Sequence, residues 1–372
     1  MNTPTQQSRR PAATPGGGPR RRPSPEQRVK KQKQILRRRT VGFLLFALLL
    51  FCIFMLIRSI DRAATRPVTM DTDVIAVGDR DTLIPEETAP PPIEEVPIVI
   101  PQVQRPAAND STLSFGDAID SQYAVLITED TSTVIAQKKA NARIHPASLT
   151  KIMSLIVAYE AIDDLTETFC VTSNIIDPLY LSEATLAGFA PGEVVSIQDL
   201  LYGMILPSGA EASVSLAIHT AGSEAAFVER MNEKAKEMGL ISTHFTNCSG
   251  LHDADHYSTC TEMAMILAYA LQYPMCREIL SAYQYTTTPT EKHPEGVLLT
   301  STMFSRVYGD EPTGAAIVAG KTGYTHQAHH CLASYGQRER DGAGFILVTV
   351  DASGKFEPIF DAIHVYSEYI HK

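Results

Sequence analysis

The stretch Pro146-Ala147-Ser148-Leu149-Thr150-Lys151 runs directly into Ile152-Met153-Ser154-Leu155-Ile156-Val157-Ala158-Tyr159. A run that is apolar on nearly every face specifies a helix inside a core, so the fold must be built around it. Pro146 suits a helix start, because a first-turn residue has no intrahelical partner for its N–H. Ser148 and Lys151, three residues apart, then share one face at the mouth of a buried helix. An amine placed there reaches a hydroxyl and can take its proton. The positive end of the helix dipole also favours an oxyanion beside Ser148. The same spacing fits a helix cap with a snorkelling lysine, and it arises about once by chance at this length. The choice between these readings rests on the remaining motifs.

Charge divides the 372 residues unevenly. The net charge is −10, yet residues 1–40 hold twelve Lys/Arg against the single acid Glu26, and the rest of the chain carries −21. Between the two lies Val41 to Ile57, seventeen residues without a charge, near the lower limit for spanning a hydrocarbon core of about 30 Å. A cleaved signal peptide fits less well: forty residues precede the run, and Ala63-Ala64 is crowded by Asp61 and Arg62. The expectation is a disordered basic cytoplasmic tail (1–40), a transmembrane helix (41–57) and everything after it outside the cell membrane. Beside a membrane span, the basic tail reads as a topology signal and anionic-lipid contact rather than a nucleic-acid arm. Residues 58–112, rich in Pro and Glu, read as a stiffened tether. Five cysteines follow the span, an odd number that excludes a fully paired framework but leaves one or two disulfides open.

The folded domain is expected over 113–372. Tyr123–Ile127 and Val134–Ala136 read as strands around the polar turn Glu129–Ser132. A mostly helical section is expected from about Ile197 to Tyr273. Strands return at Gly314–Gly320, Cys331–Tyr335 and Phe345–Val350, before an amphipathic helix from about Glu357 to Ile370. Strands first, helices in the middle and strands last make an α/β layered domain whose sheet joins distant parts of the chain.

Two more motifs follow Ser148 and Lys151 in order. Pro207-Ser208-Gly209-Ala210 lies on a turn that opens a helical stretch, and Lys321-Thr322-Gly323 lies on a strand where Gly323 lets a substrate backbone approach. Ser-x-x-Lys, Ser-x-Asn and Lys-Thr-Gly, in that order, are the motifs of serine β-lactamases and penicillin-binding proteins. About residues 115–370 resemble the D-alanyl-D-alanine carboxypeptidases of serine peptidase family S11. The resemblance rests on residues 146–153, 200–209, 249–251, 256–259 and 320–325. It implies the serine β-lactamase/DD-peptidase-like fold, with an antiparallel sheet flanked by helices plus a mostly helical subdomain. It also implies roles: Ser148 as nucleophile, Lys151 as base, Ser208 as proton relay, and Lys321 and Thr322 holding the substrate carboxylate. The N–H groups of Ser148 and Tyr324 would form the oxyanion hole. No metal or cofactor is implied. The partners would be a peptidoglycan stem peptide ending in D-Ala-D-Ala and β-lactam antibiotics.

A neutral Lys151 is expected to need burial and a second cation such as Lys321. Ala210 stands where the family pattern has Asn, and losing that side chain's hydrogen bonds is expected to cost roughly ten- to a hundred-fold in rate. A catalytically impaired peptidoglycan-binding protein is therefore one rival. A β-lactamase is another, less favoured because no Glu-x-x-x-Asn element lies between Ser208 and Lys321. His244, Cys248, His252, His256 and Cys260 recur every four residues, but intervening turn formers argue against one metal-binding helix face. His326, His329 and His330 read as solvated rim histidines. The topology has a direct test. Protease added to intact cells should release a soluble fragment of roughly 30 kDa, about 260 residues, and protection until lysis would reverse the orientation.

Overall fold

A six-stranded sheet, buried on both faces, makes the platform on which the rest is laid. The structure, a computed structural model, describes residues 103–370 apart from residue 308. The basic tail 1–40, the apolar run 41–57 and tether residues 58–102 lie outside the described residues. A six-stranded sheet has the order β1-β3-β2-β10-β9-β8, from strands Leu113–Ser114 (β1), Tyr123–Thr128 (β2), Val134–Lys138 (β3), Ala315–Thr325 (β8), His329–Arg338 (β9) and Gly344–Ala352 (β10). It is antiparallel except where β1 runs parallel to β3. The last three strands are longer than the apolar runs that announce them, because the polar ends 321–325 and 336–338 continue the same ladder.

Both faces of the sheet are buried, which explains why its strands read as nearly continuous apolar runs. Val125, Ile127, Ala333, Ile346 and Val348 point into the larger core with Leu149, Ile152 and Leu155. Ala124, Leu126, Leu332, Phe345 and Leu347 point the other way, onto Ile359, Ala362, Val365 and Tyr366 of the last helix, Glu357–Tyr369. The central helix Thr150–Glu160 (α1) is buried from Thr150 through Ala158, as its all-round apolarity requires. Around it stand Ser173–Leu181 (α2), Ile197–Ile205 (α3), Ala210–Ala221 (α4), Glu224–Glu237 (α5), Cys260–Ala270 (α6) and Pro274–Ser281 (α7). Ser196, Ser223 and Thr259 cap α3, α5 and α6, each accepting a first-turn N–H. Two short ribbons, Thr168–Val171 (β4) with Glu193–Ser196 (β5) and Gln284–Thr286 (β6) with Leu298–Thr300 (β7), complete the helical side.

One expectation holds with an interruption, and another needs correction. The section expected to be mostly helical from Ile197 to Tyr273 is interrupted by an irregular segment, 239–259, held by isolated bridges Ile144–Ser258 and His244–Tyr257. Asn247, Ser249, Gly250, Asp253 and Asp255 supply turn chemistry that outweighs helix periodicity there. Residues 103–112, read as tether, also pack. Val103 lies on the larger core, Ala107 bridges Thr133, and Arg105 pairs with the buried Glu262.

Asp361 of the last helix fixes the start of β2 to that helix. Its carboxylate accepts from the Asp120 and Ser121 N–H groups, both at 2.9 Å, and from Ser121 Oγ at 2.6 Å. Asp361→Ala would strand these donors and should cost roughly 1–3 kcal/mol of unfolding free energy in urea. An unchanged midpoint would show that water replaces the carboxylate.

Candidate active site

Ser148 sits in a single 3-10 turn, Ala147–Leu149, that feeds α1. Lys151 lies in the first turn of α1, buried to 2% exposure by the elements around it. Its Nζ lies 3.2 Å from Ser148 Oγ and donates to the Ser249 carbonyl at 2.6 Å. Burial lowers its pKa from 10.5 to about 8, while Cys248 and Glu211 push it back up. Lys321, the second cation expected to depress Lys151, is instead the more depressed of the two. Burial acts on it first, then Lys151, then Arg306. Two buried amines so close cannot both keep a proton without cost, so the pair favours one neutral member.

The Ser249 carbonyl reaches Lys151 because segment 239–259 is locked beneath the nucleophile. Asn247 Oδ1 accepts from the N–H groups of Ser249, Gly250 and Leu251, and Ser154 Oγ of α1 donates to the Cys248 carbonyl at 2.7 Å. Gly250, at φ +81°, lies so close that a Cβ would sit 2.0 Å from the Ala147 carbonyl oxygen. Neither a side chain nor a relaxed backbone fits there.

Ser208 enters from the loop before α4 in a left-handed conformation, φ 71°, and is 7% exposed. Its buried Oγ has no hydrogen-bond partner among the described residues. Opposite runs β8, the edge of the sheet, so backbone groups on its outer side are not taken by another strand. At Gly323 it passes so near the nucleophile turn that an added Cβ would sit 3.2 Å from Ser148 N.

These parts enclose a cleft of about 160 Å³, lined by Ser148, Lys151, Ser208, Ala210, Thr322, Gly323 and Tyr324, with Thr302 and Arg306 on the same wall. All the expected site residues therefore meet at the cleft except Lys321. That residue is 1% exposed, does not line the cleft and donates to the Thr322 carbonyl. Thr302 and Thr322 hydroxyls touch at 2.6 Å, and among the described residues Arg306 donates a single long bond, to the Lys355 carbonyl at 3.5 Å. Sequence reading missed Thr302, Arg306 and the Ser249 carbonyl. The only prior signal for any of them was Ser249-Gly250-Leu251 among the family-like stretches.

The other motifs resolve into supports. His256 is buried. Its Nδ1 accepts the Thr246 N–H, so Nε2 carries the proton and donates to Thr150 Oγ1 at 2.7 Å. Burial holds its pKa near 4. Cys248 Sγ donates to Glu224, and among the described residues no three His, Cys, Asp or Glu side chains gather as a metal site. The five described cysteines are unpaired, Cys170 exposed and the others buried. Tyr324 stacks on His330 and meets His326 edge-on at the cleft rim, while His329 pairs with Asp351.

A profile of the D-alanyl-D-alanine carboxypeptidases, peptidase family S11, matches residues 108–354. The chain belongs to that family. It is 34% identical over 222 residues to D-alanyl-D-alanine carboxypeptidase DacF of Bacillus subtilis, covering 58% of this chain and 54% of that protein. Against the D-alanyl-D-alanine carboxypeptidase of Streptomyces sp. K15 it is 28% identical over 230 residues, 60% of this chain and 77% of the relative. The chain thus spans about half the length of the Bacillus relative. The crystal structure of the Streptomyces K15 DD-transpeptidase superposes with a TM-score of 0.59 at 25% identity, covering 66% of this chain and 95% of that one. This S11 domain thus carries the DD-peptidase fold that its motifs imply.

If Lys151 is the base, its protonation state sets the pH response. The amine accepts a proton only when neutral, so the neutral fraction rises as pH passes through about 8. The rate constant for acylation by benzylpenicillin should therefore rise about ten-fold per pH unit below that point and level off above it. A flat profile from pH 6 to 9 would mean that Lys151 is not the base.

Proposed function

We propose that the chain is a serine-type D-Ala-D-Ala carboxypeptidase acting on peptidoglycan stem peptides through an acyl-enzyme on Ser148. The observation that carries this reading is the buried, depressed Lys151 amine 3.2 Å from Ser148 Oγ. Lys151 takes the hydroxyl proton as Oγ attacks the carbonyl between the two D-alanines. The oxyanion is held by N–H groups of Ser148 and Tyr324, the second from the sheet edge. The C–N bond breaks as Ser208 passes a proton to the leaving amine. Water then attacks the ester, again with Lys151 as base, and releases the shortened peptide.

The terminal carboxylate lies against the hydroxyls of Thr302 and Thr322 and the guanidinium of Arg306, with Lys321 behind that wall. A guanidinium without a carboxylate partner among the described residues, placed in such a cleft, suits a bidentate anion. β-Lactams, which carry a carboxylate beside a strained amide, fit the same contacts. The domain works outside the membrane, tethered by residues 41–57. No helix among the described residues is long and apolar enough to cross a membrane, and that segment lies outside them.

The second reading, an impaired peptidoglycan-binding protein, is favoured by one observation. Ala210 lines the cleft where a hydrogen-bonding side chain would face the substrate amide. Labelling by a fluorescent penicillin separates the readings. Stable covalent labelling that disappears in Ser148→Ala, with an unchanged circular dichroism spectrum, supports the peptidase. Rapid turnover of the label indicates a β-lactamase, and absence of labelling in the wild type indicates the binder.

A further inference from the structure

Helix α2 ends in a way that its sequence does not favour. Just past Leu181, Glu183 adopts a left-handed conformation, φ 54°. Its N–H donates to the Tyr180 carbonyl at 3.1 Å, and the Ala184 N–H reaches back to the Leu179 carbonyl at 2.9 Å. Glycine suits such a helix stop, because a Cβ is strained there. A carboxylate is also misplaced at a helix C-terminus, the negative end of the dipole. Glu183 is exposed, and among the described residues its side chain has no hydrogen bond or ion pair. The helix therefore gains nothing from this glutamate. The cleft is where its charge points: Glu183, Ala184 and Thr185 form one wall, and Glu183 is the one carboxylate among the described residues that line the cleft.

The complementary charge stands on the β8 side of the cleft. Arg306 lines it there beside Thr302 and Thr322, and it does not pair with Glu183. Lys151 also lines the cleft, but its bonds to Ser148 Oγ and the Ser249 carbonyl keep its amine inside. Two charges of opposite sign that face one cleft without meeting fit a ligand that carries both. The wall bearing Glu183 is fixed to the start of α4, since the Ala210 N–H donates to the Thr185 carbonyl at 2.8 Å. Resting on the carboxypeptidase reading, we propose that Glu183 is a specificity-determining residue that takes the side-chain ammonium of the residue preceding the two D-alanines. The substrate class is then a stem peptide with a free amine at that position. An extended chain rises about 3.3 Å per residue, so that residue lies roughly 7 Å from the terminal carboxylate. Its ammonium is thus offered away from Arg306, which would repel it, and towards the wall that carries the anion.

Two synthetic peptides test this on the full-length protein: Nα-acetyl-L-Lys-D-Ala-D-Ala, with a free side-chain amine, and its Nα,Nε-diacetyl form, in which that amine is capped and neutral. The wild type should prefer the free amine by about five-fold in kcat/KM, the size expected of a solvent-exposed ion pair, and through KM more than kcat. Glu183→Gln keeps the size and polarity of the side chain and removes its charge, so the ratio should fall to about one. Glu183→Lys should invert it. Sodium chloride at roughly 0.5 M should shrink the wild-type preference by screening. A wild type without the preference overturns the inference, and so does a ratio in Glu183→Gln equal to that of the wild type. A fall of the same size with both peptides also overturns it, because that is what a mere support of the cleft wall would give. Should the wild type cleave neither peptide, the carboxypeptidase reading fails instead. Equilibrium binding of the same two peptides then decides the role of Glu183: tighter binding of the free amine that is lost in Glu183→Gln upholds it, and equal affinities overturn it.

Discussion

The structure depends on keeping one amine dry. Lys151 is enclosed by α1, by segment 239–259 and by the edge strand β8, and among the described residues its hydrogen bonds run to Ser148 Oγ and the Ser249 carbonyl. Each enclosing part is held by something specific: apolar residues on all faces of α1, the Asn247 amide beneath Gly250, and the β8–β9 ladder. If any of them loosened, water would reach the ammonium and its pKa would return towards 10.5, leaving almost no neutral base at neutral pH. The helical layer and the sheet are therefore two halves of one enclosure.

That enclosure has a thermodynamic cost whose sign is fixed. A lysine depressed in the folded state binds its proton more weakly than in the unfolded chain. Below about pH 8 both states are protonated, and the full penalty is felt, on the order of 3 kcal/mol for Lys151. The penalty shrinks as pH rises from about 8 to 10.5 and vanishes above that. The depressed Lys321 adds in the same direction. Extensive burial elsewhere, on both faces of the sheet, is what allows the site to remain unfavourable by itself.

How much of this was legible in the sequence depended on whether the information is local. The strands around Val125, Ala333 and Val348 and the central helix announced themselves, because an element buried on all sides must be apolar throughout. Ser148, Lys151 and Ser208 were legible for a different reason: their chemistry fixes both residue type and spacing. Ser249 was not, since it acts through a backbone carbonyl that any residue could supply. Arg306 was not either, because one arginine in a short mixed stretch carries no mark of the cleft it faces. Lys321 was placed on the right strand but with its ammonium in the cleft, whereas the bond to the Thr322 carbonyl keeps it behind the wall. Composition also misled at 103–112, where residues typical of a tether still pack through Val103 and Ala107.

Glu211 shows most clearly what a helical-wheel argument misses. One residue beyond Ala210 it points about 100° away, and so it is correctly excluded from touching the substrate. The same rotation aims it at segment 185–188, a part of the chain that only the tertiary fold brings near. Ala210 and Glu211 thus face different sides of one helix start, the first towards the cleft and the second towards the segment that shapes it. A methyl group at the first position removes a contact with the substrate amide, but it does not disturb the carboxylate at the second. The site can therefore lose a substrate contact at Ala210 while the base, the nucleophile and the cleft wall keep their places.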